Sequence, residues 1–404
     1  MSQYKISLNP KEVPLVDTKY RKIKTKIPVP ESISLLEEMQ KYEVNGMCIH
    51  ELPIIWDKAD DFQVYDKWGN KWIDFSSGIF VANVGHCAKE VSTAILNKLN
   101  NKLIHSYIFP NDSRIKLTKK LCEITRMEKI LLTVTGSEAN DAAIQMMHRN
   151  RKGKILSIKG AYYGSTTACR LLLENVIDES MSPDAIDHNE IAGVFLQIFR
   201  GKDAKFMPYD WIRTWCKWAQ ENDIPVGFDE MQSGFGRTGK WFGYQNYGVQ
   251  PDFITVGKAL GGGLPISAVI GRKKLLELSD DLWSTHSGNP VCCAAALAVL
   301  EIIESQNLVE KSAKRNDWFG QLLRTTFPDN KVYGGGMIWA LYTGDAELTQ
   351  KIIERSAEKG LLLVSTHGQA IKIGPPLTIP DEALIEGVNV LKESFDEIMN
   401  EIKK

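Results

Sequence analysis

Two apolar runs, each stopping at a chemically useful side chain, constrain this sequence more than any other feature. The first, Ile224-Pro225-Val226-Gly227-Phe228, reads as a buried strand and delivers Asp229-Glu230-Met231-Gln232 at its C-terminal end. The segment Ser233-Gly234-Phe235-Gly236-Arg237-Thr238-Gly239-Lys240 follows, too rich in glycine for a helix. The second run, Pro251 to Gly257, ends at Lys258 and leads into Ala259-Leu260-Gly261-Gly262-Gly263-Leu264-Pro265. Adjacent parallel strands in an open α/β sheet bring their carboxyl ends to one crevice, the usual ligand position. Asp229 and Lys258 would then share a site.

Such a pair suits pyridoxal phosphate. The glycines around Lys258 leave room for a Schiff-base lysine, and Asp229 suits a carboxylate paired with the pyridinium nitrogen. Taken singly, each reads better as a solvated loop carboxylate and a surface lysine. A rival reading comes from Gly234-Phe235-Gly236-Arg237-Thr238-Gly239, a literal G-x-G-x-x-G dinucleotide fingerprint. That loop should open a long helix and be followed about 20 residues on by an acidic strand end. Here Gly239 leads into Lys240-Trp241-Phe242-Gly243 with no helical stripe, so the match is set aside as accidental.

Further along, Lys129 to Thr135 is a β-branched run ending in Gly136-Ser137-Glu138-Ala139-Asn140 and then a helical pattern. A strand, a glycine and a helix N-terminus make an anion site, with Gly136 and Ser137 as its donors; a simple N-cap at Ser137 explains the same residues. The strand Lys154 to Lys159 leads to Gly160-Ala161-Tyr162-Tyr163-Gly164-Ser165-Thr166, where an aromatic pair before glycine reads by default as core. Ala192 to Ile198 is a further strand. Tyr209 to Asn222 is a helix whose Trp211, Trp215 and Trp218 form a packing stripe.

The stretches Phe228 to Gly239 and Pro251 to Pro265 together resemble the signature of the class III pyridoxal-phosphate aminotransferases. The resemblance extends through supporting motifs from about Trp56 to Leu377. It implies an α/β fold of type I: a large domain with a mostly parallel seven-stranded sheet sandwiched by helices, and a smaller α/β domain from both chain ends. It implies Lys258 as the Schiff-base lysine and Asp229 on the ring nitrogen. The phosphate falls to Gly136 and Ser137, with Tyr162 flat against the ring and Gln232 on its phenolic oxygen. Met231 replaces a small β-branched residue beneath the ring, and Tyr163 stands where histidine is usual. Thr285, within Trp283-Ser284-Thr285-His286-Ser287-Gly288-Asn289-Pro290, resembles the threonine that reaches a partner subunit's phosphate, which implies a homodimer with shared sites.

At 404 residues the chain exceeds what one core fills, so two domains are expected. The boundaries read as 1–75 for an N-terminal arm and part of the small domain, 76–306 for the cofactor domain and 307–404 for the rest. Residues 1 to about 35 read as an irregular arm that, by resemblance, wraps the partner. Gln63 to Phe75 reads as a hairpin, and Lys331 to Tyr342 as the first piece of the smaller α/β unit. Lys plus Arg is 49 against 50 for Asp plus Glu, so no net field favours nucleic acid or an anionic membrane. Seven scattered cysteines suggest reduced thiols, no C-x-x-C pair appears, and no metal is expected. No apolar leader or spanning run stands out, which fits a cytoplasmic enzyme.

Three positions depart from the family pattern. Where an arginine commonly follows the aromatic-His-Gly motif stands Ser165, and where another precedes Pro-Pro-Leu stands Lys372. The usual Glu-Pro pair, with a second glutamate five residues on, is Gln197-Ile198 and Lys202. Lysine cannot reproduce a bidentate arginine fork. The expectation is an ω-amino-type transaminase that is not a standard 2-oxoglutarate enzyme. The acceptor would be a small keto acid, a sugar or polyketide-like carbonyl, or a substrate with an anionic group held by Lys202 and Lys372, with Ser165 and Lys372 as the substrate-side positions. An aminomutase or epimerase of the same fold would share every cofactor residue.

Overall fold

The computed structural model of the protein describes residues 7–44, 52–201, 203–365 and 368–403. The chain divides into two compact units, Ala88–Lys314 and Met1–Cys87 with Arg315–Lys404.

The first unit is built on a sheet of seven strands: β1 (Lys129–Thr133), β2 (Lys154–Ile158), β3 (Val176–Ile177), β4 (Ile191–Gln197), β5 (Val226–Asp229), β6 (Phe253–Val256) and β7 (Ser267–Gly271). Their order is β1-β7-β6-β5-β4-β2-β3. All pairings from β6 across to β3 are parallel, and only β7 runs against its neighbours. Every residue of β4, β5, β6 and β7 is buried. Strands covered on both faces show continuous apolar runs rather than alternation, which is how these read in the sequence. Helix α1 (Gly136–Asn150) packs on β6 and β7, and α2 (Tyr209–Glu221) packs on β4 and β5. Trp215 and Trp218 of α2 are buried, as the stripe predicts, while Trp211 is only partly so. Helix α3 (Pro290–Ser305) buries most of its length, and no single helix among the described residues is long and apolar enough to cross a membrane.

The second unit joins both chain ends. Lys71–Asp74 pairs antiparallel with Gln63–Tyr65, the expected hairpin, and parallel with Leu361–Leu362 from the far end of the sequence. A separate antiparallel sheet holds Lys331–Gly335, Ile338–Tyr342, Ala370–Ile373 and Val364–Ser365. The stretch from Lys331 to Tyr342 is a tight hairpin, turned at Gly336, whose φ of 61° suits glycine.

The expected irregular arm differs as well. Val16–Asp17 and Lys22–Ile23 form a small hairpin that joins the sheet at Lys71. Ile23, Ile27 and Val29 then pack into one cluster with Val64, Trp72 and Leu362. Strands this short leave no periodic trace, and burial of those three apolar residues is what orders them.

The unit boundaries lie at Cys87/Ala88 and Lys314/Arg315, later than the 75/76 and 306/307 read from sequence. The first shift follows from hydrogen bonds. Ser77 donates its hydroxyl to the Gly374 carbonyl, Leu377 donates its N–H to Asn83, and Asp61 and His86 exchange backbone bonds. These hold 76–87 within the unit formed by the chain ends.

Candidate active site

Strands β5 and β6 are parallel neighbours, with Asp229 in register with Thr255. Asp229 is the last residue of β5, and Lys258 opens a 3₁₀ turn just beyond β6. Both line one cavity of about 180 Å³ together with Gly136, Ser137, Asn140, Tyr162, Gly164, Gln197, Met231 and Gln232. Sequence-distant residues are brought together because each stands at the C-terminal edge of a strand or at the helix that follows it. Among the described residues, Lys258 and Asp229 are the only charged side chains lining this cavity.

Asp229 is buried, and both its oxygens accept hydrogen bonds. The Met231 N–H donates to Oδ1 at 3.0 Å; Asn140 Nδ2 and Gln197 Nε2 donate to Oδ2 at 3.0 and 2.9 Å. Burial pushes the carboxyl upward from its ordinary range, opposed by these donors and by the Lys258 charge. A buried carboxylate held only by neutral N–H groups is suited to a protonated ring nitrogen. Lys258 is partly buried, and desolvation pushes its amine below the usual lysine range, with Asp229 opposing. Its backbone sits in the left-handed region at φ 42°, a conformation costly for a side chain with a Cβ.

The anion end is built by α1. Thr135, not Ser137, is its N-cap: the Thr135 hydroxyl accepts the Glu138 N–H, while Glu138 accepts from Thr135 and Val134. Ser137 is thereby released from capping, and its Oγ accepts the Ser165 N–H at 3.1 Å. Gly136 and Ser137 are the first two residues of the helix, whose N–H groups have no intrahelical acceptor. They face the same cavity and can hold a phosphate. Glycine is needed at two of these positions. A Cβ at Gly164, where φ is +132°, would lie 2.5 Å from Ser137 Oγ; one at Gly136 would lie 2.9 Å from the Met231 sulfur. Met231 thus fills the floor between strand and helix, where the sequence places it under a ring.

The two tyrosines behave oppositely. Tyr162 is 57% exposed and lines the cavity, so its ring face is available to stack on a flat ligand. Tyr163 is 2% exposed; its hydroxyl donates to the Phe195 carbonyl at 2.7 Å and accepts the Ile158 N–H at 3.2 Å. It ties β2 to β4. Gln232 lines the cavity beside the Gly201 backbone.

The Ser165 side chain is exposed and only its backbone N–H engages the site. Thr285 is exposed and does not line the cavity of its own chain. Lys372 lies in the other unit, buried in the strand Ala370–Ile373 with its amine 5.6 Å from the Phe80 ring centre. Lys202 lies outside the described residues. His86 bonds the buried Asp74 carboxylate at 2.8 Å, a structural role within its unit.

Asn140 was missed by sequence reasoning. It falls one turn after Gly136 on the buried stripe of Ala139, Ala143 and Met147. A polar residue on an apolar helix face was the available signal.

The profile of the family described as aminotransferase class-III matches residues 47–175 and 172–395. The chain is 31% identical over 363 residues to the acetylornithine aminotransferase of Archaeoglobus fulgidus, covering 84% of this chain and 94% of that one. It is also 31% identical over 404 residues to the leucine/methionine racemase of Thermococcus litoralis, covering 86% and 91%. Among solved structures, the ornithine aminotransferase of Toxoplasma gondii superposes with a TM-score of 0.84 at 23% identity, over 94% of this chain and 97% of that one.

Proposed function

We propose, from the premise that this chain belongs to the class-III aminotransferase family, that Lys258 and Asp229 are the catalytic pair of a pyridoxal-phosphate-dependent transaminase acting on ω-amino-type donors. When bound, pyridoxal phosphate supplies an aldehyde that condenses with amines and a ring that withdraws electrons from the reacting carbon. Lys258 would hold it covalently and carry a proton at Nζ, a role its lowered amine pKa supports. Asp229 would pair with the ring nitrogen and favour its protonated form. The first-turn N–H groups of Gly136 and Ser137 and the Ser137 hydroxyl would bind the phosphate. Tyr162 and Met231 would pack against the ring, and Gln232 would hydrogen-bond its phenolic oxygen. The observation that carries this reading is the convergence of Asp229, Lys258 and the α1 N-terminus on one cavity.

We infer a homodimer in which Thr285 completes the partner's phosphate site. Its exposure supports this, as does an exposed apolar patch alongside: Trp283 packs tilted against Tyr107 with ring centres 5.6 Å apart, and Ile104, Ile108 and Phe109 are also exposed. A cytoplasmic location is inferred from the six described cysteines, all free.

The substrates are a terminal amine and a small keto acid, not glutamate and 2-oxoglutarate. Among the described residues no cation other than Lys258 lines the cavity, and Arg200 is held by Asp203 and donates to the Lys159 carbonyl. Ser165 remains the substrate-side position proposed within the unit that holds the cavity. A second reading, an epimerase or aminomutase, is supported by similarity to the racemase of Thermococcus litoralis. Following the visible absorption of the loaded enzyme while amines are added separates the two. Bleaching reversed by a keto acid is expected for a transaminase, and a band that shifts with no keto product marks the isomerase.

A further inference from the structure

Asn140, on the second turn of α1, meets both Asp229 and Thr255, which are register partners on β5 and β6. Its Nδ2 donates to Asp229 Oδ2 at 3.0 Å and to the Tyr163 carbonyl at 2.6 Å, and its Oδ1 accepts the Thr255 hydroxyl at 2.6 Å. Turning the amide over would set its oxygen against two acceptor oxygens, so the orientation is fixed. Asn140 is 1% exposed, and although it borders the cavity both its N–H groups are committed within the protein. Gln197 makes a matching pair of bonds, to Asp229 Oδ2 at 2.9 Å and to the Tyr162 carbonyl at 2.7 Å, but its own Oε1 is buried with no hydrogen-bond partner. Of the two amides on this carboxylate oxygen, Asn140 is the one held at its oxygen as well. A donor on the amide oxygen polarises the group and strengthens the N–H bonds it gives.

We propose that Asn140, held by Thr255, is a positioning residue that fills Oδ2 of Asp229 and so reserves Oδ1 for the ring nitrogen of the bound cofactor. This rests on the transaminase reading above. A carboxylate has about four acceptor sites, two on each oxygen. Asn140 and Gln197 take both on Oδ2, whereas Oδ1 accepts the Met231 N–H and keeps one site open. A carboxylate free to turn about its Cβ–Cγ bond would exchange its oxygens and blur that arrangement. Donors on both oxygens remove the freedom, and a charge whose direction is set before the ligand arrives is worth more than one that must reorganise. The same bonds also tie α1 to β6, so a role in packing alone is the rival explanation. Packing serves any ligand of one shape. Alignment of Oδ1 serves a ligand whose ring carries an N–H.

The test titrates cofactor-free wild type, Asn140→Ala, Thr255→Val and Thr255→Ser with pyridoxal phosphate and with its deaza analogue, in which a C–H replaces the ring nitrogen. Both ligands keep the aldehyde and the phosphate. Loosening of the cavity, of Lys258 or of the Tyr162–Tyr163 backbone therefore weakens both and cancels in the ratio of their dissociation constants. In Asn140→Ala the preference for pyridoxal phosphate over the analogue should fall about tenfold. Thr255→Val, close in shape but without the donor, should lose about threefold, and Thr255→Ser, which keeps the hydroxyl, should keep the wild-type ratio. If the alanine variant fails to fold, the two Thr255 variants carry the test. A wild-type ratio in Thr255→Val, and in Asn140→Ala where it folds, would overturn the positioning role however much both ligands weaken. A wild-type chain that takes up no pyridoxal phosphate would instead overturn the transaminase reading on which it rests.

Discussion

Asp229 and Thr255 are register partners on adjacent parallel strands, three residues before Lys258 on the second of them. That single pairing sets the carboxylate and the amine at one sheet edge. Thr255 also fixes Asn140, which donates to Asp229, so the same residue aligns the strand and orients the carboxylate. Asp229→Asn would set an NH₂ group among three N–H donors and remove the charge. Turnover should fall by roughly 10²-fold or more, the scale of losing one preorganised electrostatic partner. Cofactor should still link to Lys258, and stopped-flow absorbance reads both.

The adjacent tyrosines should separate cleanly. Tyr162→Ala exposes no buried group and should weaken cofactor binding while leaving the melting temperature near wild type. Tyr163→Phe strands the Phe195 carbonyl and the Ile158 N–H and should cost about 1–3 kcal/mol of stability. Thermal melts of the cofactor-free protein, with cofactor titrations beside them, check the contrast.

Gly164→Ala is expected to damage phosphate binding through Ser137. Its Cβ would press Ser137 Oγ at 2.5 Å on a backbone with φ of +132°. The strain should cost about 1–3 kcal/mol and displace the helix start. Adding Ser137→Ala should recover part of the stability but not the affinity for cofactor, which differential scanning calorimetry and titration can resolve.

Glu230 gives a pH signature. Burial pushes its carboxyl from 4.5 up to about 7, against the Ser233, Gly243 and Tyr244 donors that favour the ionised form. A carboxyl whose folded pKa exceeds its unfolded one binds more protons when folded. Its contribution is full below about 4.5 and is lost as pH rises through about 7. At about 1.4 kcal/mol per unit this is a few kcal/mol across the window. Glu230→Gln should be less stable overall and should flatten that slope, in urea melts taken across the same pH range.

That Asp229 and Lys258 meet at one cavity was legible because each residue ends an apolar run, and such runs survive as patterns whatever surrounds them. The helix start at Gly136 was legible for the same reason, although the cap moved from Ser137 to Thr135: both are followed by Glu138, and only Glu138's bonds to Val134 and Thr135 decide between them. What supports Asp229 was not legible. Asn140 and Gln197 lie 89 and 32 residues from it, and their convergence depends on strand register that spacing does not encode. The two-residue strands near Val16 and Lys22 were likewise hidden, since order there comes from Trp72 and Leu362 far along the chain.

The most direct measurement is to reduce the cofactor-loaded protein with borohydride and map the labelled peptide by mass spectrometry. Cofactor fixed on Lys258, with no label in a Lys258→Ala variant that still binds cofactor but does not turn over, is the predicted result. Label on a different lysine, or substantial transamination by Lys258→Ala, would contradict the assignment of the site.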